Sequence, residues 1–379
     1  MKFLHTADLH IGKVVNDFSM LEDQRYILKQ ISEIAKAQEV DAVLLAGDIY
    51  DRAIPAGEAV LLLDEFLTGL SGEGIWVFMI SGNHDSPERL SFLQNLLSGQ
   101  KIGIGGVYKD KLPVFRLNTG EEKNEIVLLP YVKPSQVNAR TSEETVEKLL
   151  RKYWEEADKD ENIQRLLITH YFVTHKGAEP DMSDSETTVH VGGLDNVEAS
   201  LFEGFDYVAL GHIHKMQQIG DMSVYYAGSP LKYSFGEVNT KKAVYCVELE
   251  KNHPAEVKEI PLRPMREMRK VKGTLQEILD QAMTEGDMRK DYIQAILTDE
   301  NELIDPIDTL RTVYPNIMQI VKEEKGTDKN ASFQSVVIKQ KDPVTLFEDF
   351  YELVKDEKLK EKEKELIIDV MKSISSRER

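Results

Sequence analysis

Five short stretches of this chain end in side chains that bind metal ions or move protons. They are Asp8-Leu9-His10, Gly47-Asp48, Gly82-Asn83-His84-Asp85, Thr169-His170 and Gly211-His212-Ile213-His214, and each follows its own apolar run. Asp8, His10, Asp48, Asn83, His170, His212 and His214 offer seven oxygen and nitrogen donors and no thiolate. Such a mixture suits Mn²⁺, Fe or Zn²⁺, disfavours a soft-metal site, and carries more imidazole than an ordinary Mg²⁺ site. Seven donors exceed what one ion with a substrate position uses. They fit two ions about 3.5–4 Å apart sharing a carboxylate, an arrangement that activates water and clamps a phosphoryl group.

Each motif has a plain alternative when taken singly. A buried histidine is usually a satisfied core residue, and Gly-Asp after a strand is often only a turn. Five of the nine histidines (His10, His84, His170, His212 and His214) nevertheless stand directly beyond hydrophobic runs. It is the five together that describe one polar site. His5, His175, His190 and His253 lack that setting and read as structural or surface groups.

The elements that must position these residues alternate between strand and helix. Strands are expected at 2–7, 41–46, 75–80, 165–169, 205–210, 224–227 and 243–249, an amphipathic helix at 22–38 and a further helix at 57–69. Val43-Leu44-Leu45-Ala46 reads as a buried central strand delivering Asp48 to its C-terminal edge, where open α/β sheets place their chemistry. Asp8 and His10, two residues apart, would project to the same side of a fully extended segment. Ser86-Pro87 marks a helix start, with serine as cap and proline in the first turn. Residues 101–135 suggest short strands across a second sheet, 143–160 a charged surface helix, and 174–196 a long polar loop.

Bulk properties narrow the class. At 379 residues, 41% hydrophobic and 8% aromatic, the chain is long enough for two or three globular domains. A single cysteine, Cys246, rules out a disulfide framework and suits a reducing compartment. The N-terminus shows no signal-peptide pattern and no stretch is apolar enough to span a membrane, so a cytoplasmic protein is expected. The net charge of −19, from 66 acids and 47 bases, argues against a protein that simply clamps nucleic-acid backbone. A basic stripe or bound divalent cations would reverse that sign locally.

A boundary is expected at 262–265. Residues 1–262 form the large domain, 263–340 a small α/β module, and 341–379 a charged helical tail. In the module, strands at 266–272, 292–298 and 317–323 alternate with helices at 274–285 and 306–313. Its entrance carries Arg263, Arg266, Arg269, Lys270 and Lys272 with one acid, the best candidate strip for DNA phosphates. In the tail, Leu346, Phe347, Phe350, Leu353 and Val354 form one apolar stripe, and Ile367, Val370, Met371 and Ile374 another. Isolated helices this short are marginal in water and call for a partner groove or coiled coil. No Walker-type Gly-x-x-x-x-Gly-Lys-Ser/Thr loop is present, so any ATP dependence has to come from a partner.

The five motifs together resemble the signature of the calcineurin-like metallophosphoesterases. More narrowly, the strings HTADLHIGK, LLAGDIYDR, ISGNHDSPERL, ALGHIHKMQ and YYAGSPLKYSFGE resemble the bacterial SbcD nucleases, counterparts of the eukaryotic and archaeal Mre-eleven proteins. The similarity covers residues 1–250 strongly and 265–325 more loosely. It implies a two-sheet α/β sandwich flanked by helices, with a small α/β capping domain and C-terminal helices. It further implies one ion on Asp8, His10, Asp48 and His214 and another on Asp48, Asn83, His170 and His212, with Asp48 bridging. His84 would stand beside the scissile phosphate and Asp85 would orient it. The usual metal would be manganese, two ions per chain, with Mg²⁺, Fe or Zn²⁺ as other occupants. Where some members carry a second non-ligand histidine after the bridging aspartate, this chain has Asp51.

The resemblance implies a manganese-dependent DNA nuclease acting as exonuclease on duplex ends and endonuclease on single strands and hairpins. It also implies a homodimer through helices of the nuclease domain, for which 57–69 and 87–97 supply Leu61, Leu62, Phe66, Leu93 and Leu96. The tail would bind the coiled-coil base of an SMC-like ATPase, SbcC, at work in DNA repair, recombination and replication on the bacterial nucleoid. Two other classes use the same or similar residues: a phosphatase or cyclic-nucleotide phosphodiesterase, and a non-catalytic scaffold. The material after residue 262 discriminates, since a small-molecule phosphoesterase needs neither module nor tail.

Overall fold

Along the strands, alternate residues enter two different cores, and this alternation builds the layers. In Ala42–Leu45, Ala42 and Leu44 join a core between two sheets, while Val43 and Leu45 join a core facing helices. The computed structural model describes residues 1–323 apart from 93, 121, 183–194, 251–252 and 302. The expected tail, the end of the small module beyond 323, Leu93 and His190 lie outside the described residues.

The first sheet has six strands in the order Glu256–Pro261, Ala243–Glu248, Lys2–Thr6, Ala42–Leu45, Trp76–Ile80 and Ile102–Gly105. The last four run parallel, and Ala243–Glu248 joins them antiparallel beside Lys2–Thr6. The second sheet orders Gln217–Gln218, Val224–Tyr226, Tyr207–Leu210, Ile163–Thr169, Glu122–Leu129 and Val114–Thr119. Phe3, Leu44, Phe78 and Ile80 from the first sheet meet Ile126, Leu128, Ile168 and Tyr207 from the second. Helices Leu21–Ala37 and Gly57–Gly72 cover the outer face of the first sheet through Ile27, Ile31, Leu62 and Phe66. Ser142–Glu156 covers the second through Val146, Leu149 and Leu150. The architecture is a mixed α/β two-sheet sandwich flanked by helices.

Two local expectations are corrected. Ile102–Gly105 pairs with Trp76–Ile80 in the first sheet, so only part of 101–135 builds the second. The stretch 87–97 is not one helix but the short turns Pro87–Leu90 and Gln94–Leu97. The Ser91 hydroxyl accepts the Val107 N–H at 3.0 Å, which holds the chain where the first turn ends.

Met268–Gly273, Tyr292–Leu297 and Ile317–Lys322 form a three-stranded parallel sheet with helices Leu275–Thr284 and Pro306–Arg311. Thr274 and Glu277 close a capping box at the first helix. This small module has its own core around Ile278, Ile293, Leu310 and Tyr314, while Met268, Tyr292 and Met318 pack into the core of the first sheet. Among the described residues no helix is long and apolar enough to cross a membrane.

Candidate metal centre

The donors gather where the parallel strands of both sheets end, but not in the backbone form the spacing suggests. Asp8, His10, Asp48 and His212 take φ values of 52°, 43°, 47° and 100°. The extended reading of Asp8-x-His10 is therefore wrong. Non-glycine residues held there cost about 1–3 kcal/mol each and persist only where surrounding bonds over-determine them. Those bonds are present: Asp8 N donates to Gly47 O at 3.1 Å and His10 N to Asp48 O at 2.9 Å. Two glycines are required by close approach. A Cβ on Gly82 would lie 2.1 Å from Asp48 Oδ1, and one on Gly211 would lie 2.0 Å from Ala46 O.

The donor atoms converge as two groups. In one, His10 Nε2 stands 3.2 Å from His214 Nε2, with Asp8 in the same cluster. In the other, Asn83 Oδ1 lies 3.1 Å from both His170 Nε2 and His212 Nδ1, and Asp8, Asp48 and His170 cluster beside it. Asp48 Oδ2 faces both, 3.3 Å from His170 Nε2 and 3.8 Å from His10 Nε2. Its other oxygen is fixed by the His84 N–H at 2.9 Å. Ligands held about 2.0–2.2 Å from an ion lie about 2.9–3.6 Å from one another across tetrahedral or octahedral edges. The nearest spacings in both groups have that size, so the residues fit two metal ions. Two metal-binding clusters are present, and Asp48 lies between them.

The electrostatics suit cations. Asp8, His10, Asp48 and His170 are buried, whereas Asn83 and His84 are exposed and form the open rim. Burial pushes the His10 imidazole well below its ordinary range, outweighing Asp48, so it is neutral with a free lone pair. Burial pushes the Asp8 carboxyl up, partly offset by His170 and His214. Burial opposes ionisation of Asp48 as well, but the charge and hydrogen bond of His170 hold its carboxyl below the ordinary range. Burial would lower His170, yet Asp48 and Asp8 raise it to about 9. Carboxylate charge in this pocket thus draws positive charge to itself. The His170 Nδ1–H donates to Ala46 O at 2.7 Å, turning Nε2 toward the site.

Further residues support the donors, and motif reading did not single them out. Glu237 Oε1 lies 3.4 Å from His214 Nδ1, while Oε2 accepts Lys242 Nζ at 2.6 Å. Lys242 also donates to Ser229 Oγ and His214 O. Burial would raise the Glu237 carboxyl, but His214 and Lys242 hold it down at about 2. The signal was Glu237, the one carboxylate of the string YYAGSPLKYSFGE. Gln24, buried on helix Leu21–Ala37, bonds the backbone of the His10 loop.

His84 stands at the rim with its Nε2 3.9 Å from Asp48 Oδ2. The hydrogen bonds of Asp85 go to the backbone. Both Asp85 oxygens accept backbone N–H groups, of Ile49, Tyr50 and Gly82, at 2.9–3.0 Å. Its carboxyl is raised by burial to about 6, and its work is to hold the loops of Asp48 and Asn83 together. The group facing His84 Nδ1 is the Asp51 carbonyl at 3.2 Å. The Asp51 carboxylate pairs with Lys13 at 2.6 Å and approaches His10 Nδ1 at 3.7 Å.

The basic strip divides. Arg266 pairs with Glu22 and Asp23 and lies over the Tyr292 ring. Arg269 pairs with Glu285 and Asp291 at 2.7 Å each, and Lys272 with Glu323 at 2.6 Å. The two arginine charges are spent within the protein, while Arg263, Lys270 and Lys272 are exposed. Of the apolar residues expected to pair two copies, Leu62 and Phe66 belong to the core, and Leu61 and Leu96 are exposed.

Comparison with known proteins agrees with this geometry. Residues 1–216 match the calcineurin-like phosphoesterase family, and residues 264–355 match the SbcD C-terminal model, described as the type 5 capsule protein repressor C-terminal domain. The chain is 32% identical over 384 residues to the SbcD subunit of the nuclease SbcCD from Staphylococcus epidermidis, covering 100% of both chains. Among solved structures, a dimetal phosphatase from Danio rerio covers 68% of this chain and 95% of its own, at 13% identity and TM-score 0.40. An archaeal phosphodiesterase covers 69% and 100%, at 14% identity and TM-score 0.33. Both structural likenesses are too slight to carry an argument. By its sequence matches, the chain belongs to the calcineurin-like phosphoesterase superfamily and, within it, to the SbcD nuclease family.

Proposed function

We propose that this protein is a manganese-dependent DNA nuclease that hydrolyses phosphodiesters with two ions, as exonuclease on duplex ends and endonuclease on single strands and hairpins. The observation that carries the reading is Asp48 Oδ2 standing between two donor groups. Asp8, His10, Asp48 and His214 would hold one ion, and Asp48, Asn83, His170 and His212 the other. When bound, the ions supply Lewis-acid polarisation of a phosphoryl oxygen and a water ionisable near neutral pH. Asp8 and Asp48 hold the negative charge that retains them. The exposed Asn83–His84 rim admits the scissile phosphate. In its doubly protonated form His84 would donate Nδ1–H to the Asp51 carbonyl and give its Nε2 proton to the leaving oxygen.

Full-length similarity to a nuclease subunit of SbcCD, and the C-terminal family match, support an SbcC-like ATPase as partner of the tail at 341–379. Exposed Leu61, Phe92 and Leu96 support a homodimer, and Arg263, Lys270 and Lys272 are the exposed cations left for DNA. A phosphatase or cyclic-nucleotide phosphodiesterase would use the same clusters. Cleavage of a hairpin DNA against a mononucleotide ester in Mn²⁺ separates them. Hairpin cleavage, lost in His84→Ala with metal retained, supports the nuclease, and ester hydrolysis without DNA cleavage overturns it.

A further inference from the structure

Adjacent side chains at the start of helix Leu21–Ala37 reach two different parts of the molecule. Asp23, fully buried, takes the small module: its Oδ2 accepts Tyr292 Oη–H at 2.7 Å, and Arg266 donates to Oδ1 at 3.1 Å. Gln24, also buried, takes the metal loop. Its Oε1 accepts Gly12 N–H at 2.9 Å, and its Nε2 reaches His10 O at 2.7 Å, Leu9 O at 3.3 Å and Tyr233 Oη at 3.1 Å. The amide orientation is fixed, because Gly12 N–H requires an oxygen and the two carbonyls require a donor. Tyr233 completes the brace by donating to Leu9 O, and its ring edge packs on His10 and His214. His10 is one of the positive-φ donors, so its backbone needs such fixing.

A second connection runs to the same pocket. Lys232 pairs with Glu267 of the module at 2.8 Å, and the loop carrying Lys232 ends in Glu237, which supports His214. The bonds that fix His170 and Asn83, by contrast, come from Ala46 and from the site itself.

We propose that Gln24 is a positioning residue for the His10–His214 pocket and that, with Asp23, it ties that pocket to the seat of the small module. The proposal rests on the two-ion reading. Movement of the module thereby changes the hold on one ion and leaves the other, and occupation of that pocket reciprocally steadies the module.

The test is Mn²⁺ titration of the full-length protein, followed by calorimetry and by the EPR signature of a coupled ion pair, for wild type, Gln24→Glu and Arg266→Met. Glutamate keeps the volume of Gln24 but sets an acceptor against two carbonyls. Wild type should bind two ions. Gln24→Glu should keep one step unchanged, weaken the other by roughly tenfold or more, and replace the coupled signal with that of an isolated ion. Arg266→Met, remote from the loop, should weaken the same step by about fivefold. Mn²⁺ should slow amide exchange of Met268–Gly273 in wild type and not in Gln24→Glu. Equal weakening of both steps, no weakening, or an Arg266→Met variant with wild-type steps overturns the proposal. A wild type binding a single ion overturns the two-ion reading beneath it.

Discussion

Replacing Glu237 by glutamine separates two roles that the structure joins in one carboxylate. Glu237 and Lys242 form a 2.6 Å ion pair with side chains only 1% and 5% exposed. Removing one partner of a buried pair leaves the other charge uncompensated, at a cost of about 3–5 kcal/mol. Lys242 keeps acceptors in Ser229 Oγ at 2.7 Å and His214 O at 3.0 Å, which places the loss near the lower end. A loss of about 3 kcal/mol lowers Tm by roughly 4 °C in a protein of this size. The same substitution removes the carboxylate beside His214 Nδ1, and loss of such a partner weakens metal binding about 10- to 100-fold. Adding Lys242→Met removes the orphaned charge. The double variant should recover most of the stability in denaturant unfolding, while one of two Mn²⁺ steps stays weak in calorimetry. Recovery of both properties together, or a single-variant stability loss under about 1 kcal/mol, would refute this division of roles.

Acid sensitivity should trace in part to His5. Its Nε2 faces Leu210 O at 3.2 Å and its Nδ1 Tyr207 Oη at 3.0 Å, and burial lowers its pKa from 6.5 to about 3. Between those values the unfolded chain binds the proton and the folded chain does not, so stability falls as pH drops from 6.5 toward 3, by up to about 5 kcal/mol. His5→Gln should flatten that slope, and parallel stability–pH curves would contradict the assignment. Gly211→Ala, whose Cβ would meet Ala46 O at 2.0 Å, should cost about 1–3 kcal/mol and displace His212 and His214. Metal content should fall, and an unchanged content would refute it. Arg266→Glu should quicken proteolysis around 264–273 while leaving the salt slope of DNA binding unchanged, because its charge is already paired with Glu22 and Asp23. A reduced slope with unchanged proteolysis would return Arg266 to the DNA strip.

What was legible in the sequence is what period and position encode. The parallel strands announce themselves as apolar runs, and a donor directly after each run falls at the strand end whatever the loop conformation. The module is legible for the same reason, its strands and helices alternating. Side-chain partners are not encoded that way. Asp85 follows His84 in the chain but turns to three backbone N–H groups, and Arg266 looks like a free cation until helix Leu21–Ala37 brings Glu22 and Asp23 to it. The left-handed backbone of Asp8 and His10 depends on bonds to Gly47 and Asp48, far along the chain. Gln24 was invisible as a site residue and Glu237 showed only as the carboxylate closing YYAGSPLKYSFGE, because neither stands directly after one of the parallel strands. Their contribution is to hold the donors, and that appears only in three dimensions.

The central claim is two ions on either side of Asp48. Anomalous diffraction from crystals soaked in Mn²⁺ tests it directly. The account predicts two peaks about 3.5–4 Å apart, one beside His10 and His214 and one beside Asn83, His170 and His212, with Asp48 Oδ2 between them. A single peak with every donor in place would contradict it.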